Sequence, residues 1–202
     1  MHISLTKDTI TGELARLLAA AKRPKSIYAA GAKAVQVEIL RHLTDLQSRG
    51  NQRGWPSRKF FRGGPDSVSK HVGIASLTDT GATITIADPR FIHRIEGGTV
   101  TAKRAKSLAI PLTAEAYAMG GKGTLRELAP DLVLIKTARG AYLARPTRGK
   151  GKNKGKSQLK FLFKLVKSVT HKPHPSEMPD KTALTDSARA AMLTAARLLI
   201  TQ

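Results

Sequence analysis

The spacing of apolar residues divides the chain into helical and extended segments. Apolar positions recur at steps of three and four over residues 9–22 and 25–48, which predicts two amphipathic helices separated by Pro24. The same spacing returns from Asp180 onward and predicts a C-terminal helix. Because glycine weakens a helix interior, Gly31 marks a place where another backbone is expected to come close.

Alternation of apolar and polar residues predicts strands between these helices. Residues 68–77 and 82–86 flank the turn sequence 78–81 and are expected to form an antiparallel hairpin. Further strands are predicted over residues 108–112, 131–136, 141–145 and 158–169, with a short helix over residues 113–119. In the last strand, two sets are expected on opposite faces: Leu159, Phe161, Phe163 and Leu165 on one, and Lys160, Leu162, Lys164 and Val166 on the other.

Helices at both ends with strands between them predict an α+β fold. We expect a mostly antiparallel sheet of about five to six strands, with the N- and C-terminal helices packed on one face. The 202 residues are enough for one core, and a single domain over residues 1–202 is expected. Two irregular segments interrupt it, a long aromatic loop over residues 48–67 and a basic Gly/Lys loop over residues 146–157.

The stretch between residues 82 and 112 is expected to form one compact docking unit. Asp88 is expected to cap a short helix beginning at Pro89. The spacing of Phe91, Ile92 and Ile95 predicts that these three side chains are buried together. Gly97 and Gly98 then allow a reversal into strand 108–112 through a basic loop that carries Lys103, Arg104 and Lys106.

Two sequences inside this stretch, FIHRIEGGTV and KRAKSLAIPL, resemble the central signature of the tailed-phage virion morphogenesis proteins, the tail-completion and tail-terminator group. The typical pattern of that family is an aromatic residue, a histidine, Gly-Gly and a basic loop that ends in a Leu-x-Ile-Pro strand. The similarity spans residues 27–200, and its specific part is residues 93–112. Two departures are the segment 168–175, where relatives have a Pro-Arg-Pro turn, and a longer Gly/Lys insertion after Arg148.

The resemblance implies a structural virion protein that acts at the head–tail neck as a tail terminator or completion protein. Its implied partners are copies of itself in a ring, expected to be a hexamer, the tail tube protein, the head connector proteins and packaged DNA. Its implied location is the virion tail or neck, after assembly in the host cytoplasm. Whether its role is that of terminator, completion or connector protein stays open.

The charge of the chain supports a second hypothesis. Lys and Arg number 35 against 14 Asp and Glu, which gives a net charge of +21 and a pI of about 10.8. Such an excess is typical of sequence-independent nucleic-acid-binding proteins, and the low aromatic content of 4% favours phosphate contacts over base stacking. The densest cations are expected to contact nucleic acid or an acidic partner, unless they are a solvated hairpin tip: Arg148, Lys150, Lys152, Lys154 and Lys156.

Three aromatic residues are concentrated in the long loop: Trp55, Phe60 and Phe61. Trp and Phe are favoured at the cores of protein interfaces, which predicts contact with a neighbouring subunit. The alternative is a satellite cluster that holds the loop against the sheet.

No catalytic, cofactor or metal site is expected, and an enzyme is not predicted. The carboxylates are scattered singly, Gly155-Lys156-Ser157 lacks the first glycine of a phosphate-binding loop, and Gly-x-Ser-x-Gly is missing. His93 and Glu96 have a spacing that can bind metal, but a structural hydrogen bond is expected for them, and His171 and His174 are interpreted as loop residues. Without cysteine there is no disulfide framework, and neither a membrane span nor a secretion signal is expected.

Overall fold

The computed structural model describes residues 24–50, 59–103, 105–119, 129–148 and 157–201, together with Leu18 and Lys22. Within these ranges there are four α-helices and eight strands, and every strand pairing is antiparallel, so the predicted α+β class is confirmed. The chain forms two compact units. The first comprises residues 1–49, 59–91 and 175–202, and the second comprises residues 50–58 and 92–174. The single domain expected over residues 1–202 stays a prediction.

The first unit is built on a long helix, α1 (Pro24–Ser48), as the periodicity predicts. One face of α1 buries Ile39, Leu43 and Leu46, which are four and three residues apart. The helix packs against the hairpin of β1 (Val72–Leu77) and β2 (Ala82–Ile86) and against the C-terminal helix, which spans Lys181–Thr201. The Asp180 carboxylate caps this last helix by accepting the Ala183 N–H at 3.2 Å.

Gly31 lies where α1 meets the C-terminal helix. A Cβ at this position would be 2.7 Å from Met192 Cγ, closer than real Cβ contacts come, so the missing side chain is what allows the approach. Another helix does come close to Gly31, but the nearest group is the Met192 side chain and not the backbone that was expected; the Ala188 carbonyl oxygen would be 3.6 Å from the added Cβ.

The hairpin strand predicted over residues 68–77 begins later. Residues Val68–His71 form a turn of 3₁₀ helix, and β1 begins at Val72. Val68 is fully buried and its N–H donates to the Phe60 carbonyl at 2.9 Å. The N–H of Val68 is therefore bound to the aromatic loop and is not available for pairing with another strand.

The described residues of the second unit contain six strands and a short helix. The 8-residue helix α2 (Pro89–Glu96) crosses from the first unit into it, since the boundary follows Phe91. The four-stranded sheet has the order β4-β7-β6-β5, and β3 and β8 form a separate pair. Along the chain the elements are β3 (Gly98–Thr101), β4 (Leu108–Pro111), α3 (Ala114–Met119), β5 (Val133–Thr137), β6 (Gly140–Arg148), β7 (Ser157–Val166) and β8 (Ser168–His171); the C-terminal helix is α4.

The prediction of one sheet with five to six strands is wrong, because the described strands form three sheets of two, two and four strands. The strand predicted over residues 158–169 is interrupted at Lys167, and its two parts, β7 and β8, pair with different partners. Gly98, which was expected in a turn, instead begins β3 and pairs with His171. Hydroxyl groups of Thr99 and Thr170 lie 2.9 Å apart across this short pair.

The expected compact docking unit over residues 82–112 is also wrong. Its first strand, β2, pairs with β1, and its last strand, β4, pairs with β7, so its two ends belong to different sheets. In α2, Phe91 is buried and Ile95 is half-buried, but Ile92 is 45% exposed. The sheet that each of these strands joins depends on partners distant in sequence, and the local spacing of residues does not reveal those partners.

A bulge in β7 decides which side chains form the core of the second unit. Leu143 pairs with Phe163 while Ala144 pairs with Phe161, so Leu162 is an extra residue on β7. Leu162 and Phe163 are therefore both buried, and together with Ala116 of α3 they form one cluster. The predicted separation of these two residues onto opposite faces is wrong, because strict alternation ends at a bulge.

Candidate interaction surfaces

Most of the predicted basic Gly/Lys loop over residues 146–157, which we call the basic finger, lies outside the described residues, as does Trp55. This applies to Lys150, Lys152, Lys154 and Lys156. Arg148 is the last residue of β6, and its backbone is paired with Ser157, the first residue of β7. The basic loop predicted over residues 146–157 is thus shorter than expected, because residues 146–148 continue the strand.

Phe60 and Phe61 are half-buried and contact other rings of the first unit. Their ring centroids lie 5.0 Å apart in an edge-to-face arrangement, and Phe61 lies 6.4 Å from Phe91 in the same manner. The Arg90 guanidinium lies over the Phe60 ring, 5.6 Å from its centroid. These contacts are with the start of α2 and not with the sheet that the satellite-cluster alternative named, and the predicted subunit contact stays a prediction.

Asp88 is the buried polar centre of this cluster. Its side chain is only 1% exposed, and its Oδ1 accepts the N–H groups of Arg90 at 2.9 Å and Phe91 at 3.3 Å, which confirms the predicted cap of α2. The Arg90 guanidinium donates to both carboxylate oxygens and to the Asp66 carbonyl. The hydrogen bond from Arg90 holds the pKa of Asp88 below its ordinary value despite burial.

In the second unit, a group of ion pairs joins α3 to the four-stranded sheet. Glu115 binds Arg145 of β6 and Lys160 of β7, and Arg145 also binds Asp131. The hydrogen bond from Lys160, with a further contribution from Arg145, lowers the pKa of Glu115. The carboxylates of Glu115 and Asp131 are therefore both paired with cations of the same unit.

The positive charge of the chain is concentrated in the second unit. Residues 92–174 carry 18 Lys and Arg against 4 Asp and Glu, a net charge of +14 out of +21 for the whole chain. Two of those four carboxylates, Glu115 and Asp131, are already paired. The surface of this unit therefore attracts anions over a distance of about a Debye length, roughly 8–10 Å at physiological salt.

One face of the four-stranded sheet carries three exposed apolar side chains, Val133, Leu159 and Phe161, beside the half-buried Ile135 and Tyr142 and the fully buried Ala144. Val133 and Phe161 lie opposite Ala144 on either side of it, and so share its face. Tyr142 lies on the same face and meets Phe161 edge-to-face, with ring centroids 5.3 Å apart. We call this the Tyr142 face; its residues include Val133, Ile135, Tyr142, Ala144, Leu159 and Phe161.

Among the described residues, the buried Nε2 of His93 has no hydrogen-bond partner, so the expected hydrogen bond is not formed there through this atom. Its ring lies edge-to-face with His171, with centroids 5.6 Å apart, and Gly98 would place a Cβ 3.1 Å from His93 Cε1. The role of His93 is therefore packing at the start of the β3–β8 pair.

Within the described ranges, no group of three or more potential ligands could hold a metal ion, and no helix is long and apolar enough to cross a membrane. A polar cleft in the first unit lies beside Glu38, Arg41, His42, Asp180 and Lys181. The carboxylate of Glu38 is already paired with Arg41, which lowers its pKa through a hydrogen bond. The cleft therefore offers no unpaired carboxylate at Glu38 for acid–base chemistry.

No protein-family model, no curated protein and no solved structure matches the chain.

Proposed function

We propose that the chain is a structural subunit of the neck of a tailed phage, a tail terminator or completion protein that works in a ring. The sequence signature at residues 93–112 is the source of this proposal. The structural observation that supports it most is the four-stranded sheet of the second unit, whose edge strand β5 and Tyr142 face expose apolar side chains. Exposed apolar edges are unfavourable in isolation and are suited to contact with another protein of the neck.

The proposal predicts a defined oligomer. Light scattering coupled to size-exclusion chromatography is expected to give a closed ring, either alone or after mixing with tail tubes of the phage that encodes the chain. Negative-stain microscopy should then show the ring at one end of each tube. A monomer at every concentration, with and without tubes, would contradict the proposal.

A second function, sequence-independent binding to nucleic acid, is favoured by the excess of cations in residues 92–174. Replacing Lys150, Lys152, Lys154 and Lys156 with Gln is expected to flatten the salt dependence of DNA binding by about one unit of log–log slope for each phosphate that the protein no longer neutralises. Fluorescence anisotropy with a 20-base-pair duplex, at salt concentrations between about 50 and 200 mM, measures this slope.

The matched control removes four cations from the first unit instead, by replacing Lys25, Lys33, Lys70 and Lys181 with Gln. Each variant loses four lysines, so the net charge changes equally in both. The four control side chains are exposed, so the stability of the control should change little. If the control flattens the slope as much as the finger variant does, net charge alone attracts DNA and the finger has no special role.

A further inference from the structure

We propose that the edge of β5 is the docking site for an extended, acidic segment of a partner protein, which adds to the four-stranded sheet as a fifth strand. This inference deepens the proposed function, on which it rests, because it specifies the chemistry of one neighbour in the assembly. The position of β5 in the sheet, its exposure and its charge each support it.

The two edges of the sheet differ. Strand β4, at one edge, is half-buried throughout and ends at Pro111, which has no N–H to donate to an added strand. Strand β5, at the other edge, has three apolar residues in succession, Val133 to Ile135, and contains no proline. Leu134 is 54% exposed and Val133 is exposed on the opposite face, so both sides of the strand are open. An edge of this kind is suited to strand addition.

The charge beside β5 selects an acidic segment. Lys136 within the strand and Arg139 in the following turn form no side-chain hydrogen bond or ion pair with other described residues, and Lys136 is exposed. The nearby carboxylate of Asp131 is already bound to Arg145. A second copy of the chain would bring another unit of net charge +14 to the same edge, which favours a partner of opposite sign.

The alternation along β5 fixes the pattern that the segment needs. Val133 and Ile135 point to the Tyr142 face, so the added side chains on that face should be apolar. Leu134 and Lys136 point to the other face, so a carboxylate there can pair with Lys136. A segment that alternates apolar and acidic residues satisfies both faces.

The test uses the full chain and an eight-residue peptide of alternating valine and glutamate, acetylated and amidated at its ends. Hydrogen exchange followed by NMR is expected to slow at residues 133–137 when this peptide is added, and to stay unchanged at residues 108–111 of β4. Anisotropy of the fluorescein-labelled peptide should show that Lys136→Glu weakens binding about tenfold, since an attractive cross-strand pair becomes a repulsive one. Lys172→Glu changes the net charge equally and should weaken binding much less.

Three comparison ligands identify the mode of binding. The same peptide with every backbone nitrogen methylated cannot donate ladder hydrogen bonds and should not bind, and a valine–lysine peptide should bind only the Lys136→Glu variant. Binding of the methylated peptide, or an equal loss in the Lys172 variant, would overturn strand addition. Protection of residues 133–137 by a 20-base-pair DNA duplex, or by dimerisation of the chain without peptide, would assign the edge to phosphates or to a second copy.

The proposed function and the docking site can fail separately. A ring that forms while the valine–glutamate peptide leaves residues 133–137 unprotected would remove the docking site and keep the neck proposal. If the peptide protects residues 133–137 but the chain stays monomeric in the presence of tail tubes, the neck proposal is removed and the docking site is kept.

Discussion

Leu162→Ala is expected to lower the free energy of unfolding by about 2–5 kcal/mol, the range for a leucine removed from a packed core. Leu162 is fully buried and contacts the cluster formed with Phe163 and Ala116. Its burial depends on the bulge in β7, because an unbroken alternation would place it on the face opposite Phe163. Denaturant unfolding followed by circular dichroism measures the decrease.

Leu159→Ala is the matched control, because the same substitution is made three residues earlier in the same strand. Leu159 is 45% exposed, and the expected decrease is about 1 kcal/mol or less. Equal decreases in the two variants would contradict the greater burial of Leu162 that the bulge produces. Because both variants remove the same atoms, a difference between them reports burial alone.

Asp88→Ala is expected to lower the free energy of unfolding by about 3 kcal/mol. The substitution removes the cap of α2, which contributes about 1 kcal/mol, and the acceptor of the Arg90 guanidinium, whose removal adds about 1–3 kcal/mol. Asp88→Asn keeps an oxygen that can accept from the N–H groups of Arg90 and Phe91. It removes the charge and replaces the second oxygen, the acceptor of Arg90 Nη2, with an amide nitrogen that cannot accept. The destabilisation in the Asn variant should therefore be smaller than in the Ala variant.

The effect of Asp88 should also depend on pH. Because its pKa is lower in the folded chain than in the unfolded chain, the carboxylate stabilises the fold above the unfolded value of about 4. This stabilisation is lost as the pH falls through the folded value. The difference in stability between the native chain and Asp88→Asn should be constant from about pH 7 to 5 and shrink below about pH 4.

An unchanged difference down to about pH 2 would contradict the assigned role of the Asp88 charge. Glu38 and Glu115 also have lowered pKa values, so the native chain alone would lose stability in acid. Taking the difference between the two chains cancels these shared contributions.

The candidate surfaces were only partly predictable. The excess of cations is a property of the sequence, but its concentration in residues 92–174 matters only because those residues form one compact unit. The sequence identifies residues 131–136 as a strand, whereas its place at the edge of a sheet follows from which strands pair. Trp55 and the four lysines of the finger lie outside the described residues, so their predicted roles are unchanged.

The sequence by itself determined the local elements of this protein. The three- and four-residue spacing of Ile39, Leu43 and Leu46 is enough to form α1, and Asp88 followed by Pro89 is enough to begin α2. These features depend on neighbours a few residues apart. The α+β class follows from them, since it requires only the order of helices and strands.

Only the tertiary structure decided how the strands are shared among sheets and which side chains are buried. The break at Lys167 lets β7 and β8 pair with different strands. The bulge at Leu162 buries two successive residues, Leu162 and Phe163, in the same core. Strand pairing depends on contacts between residues far apart in sequence, and a shift of one residue exchanges the faces of a strand. The pattern of apolar and polar residues along the chain does not specify which strands pair with one another.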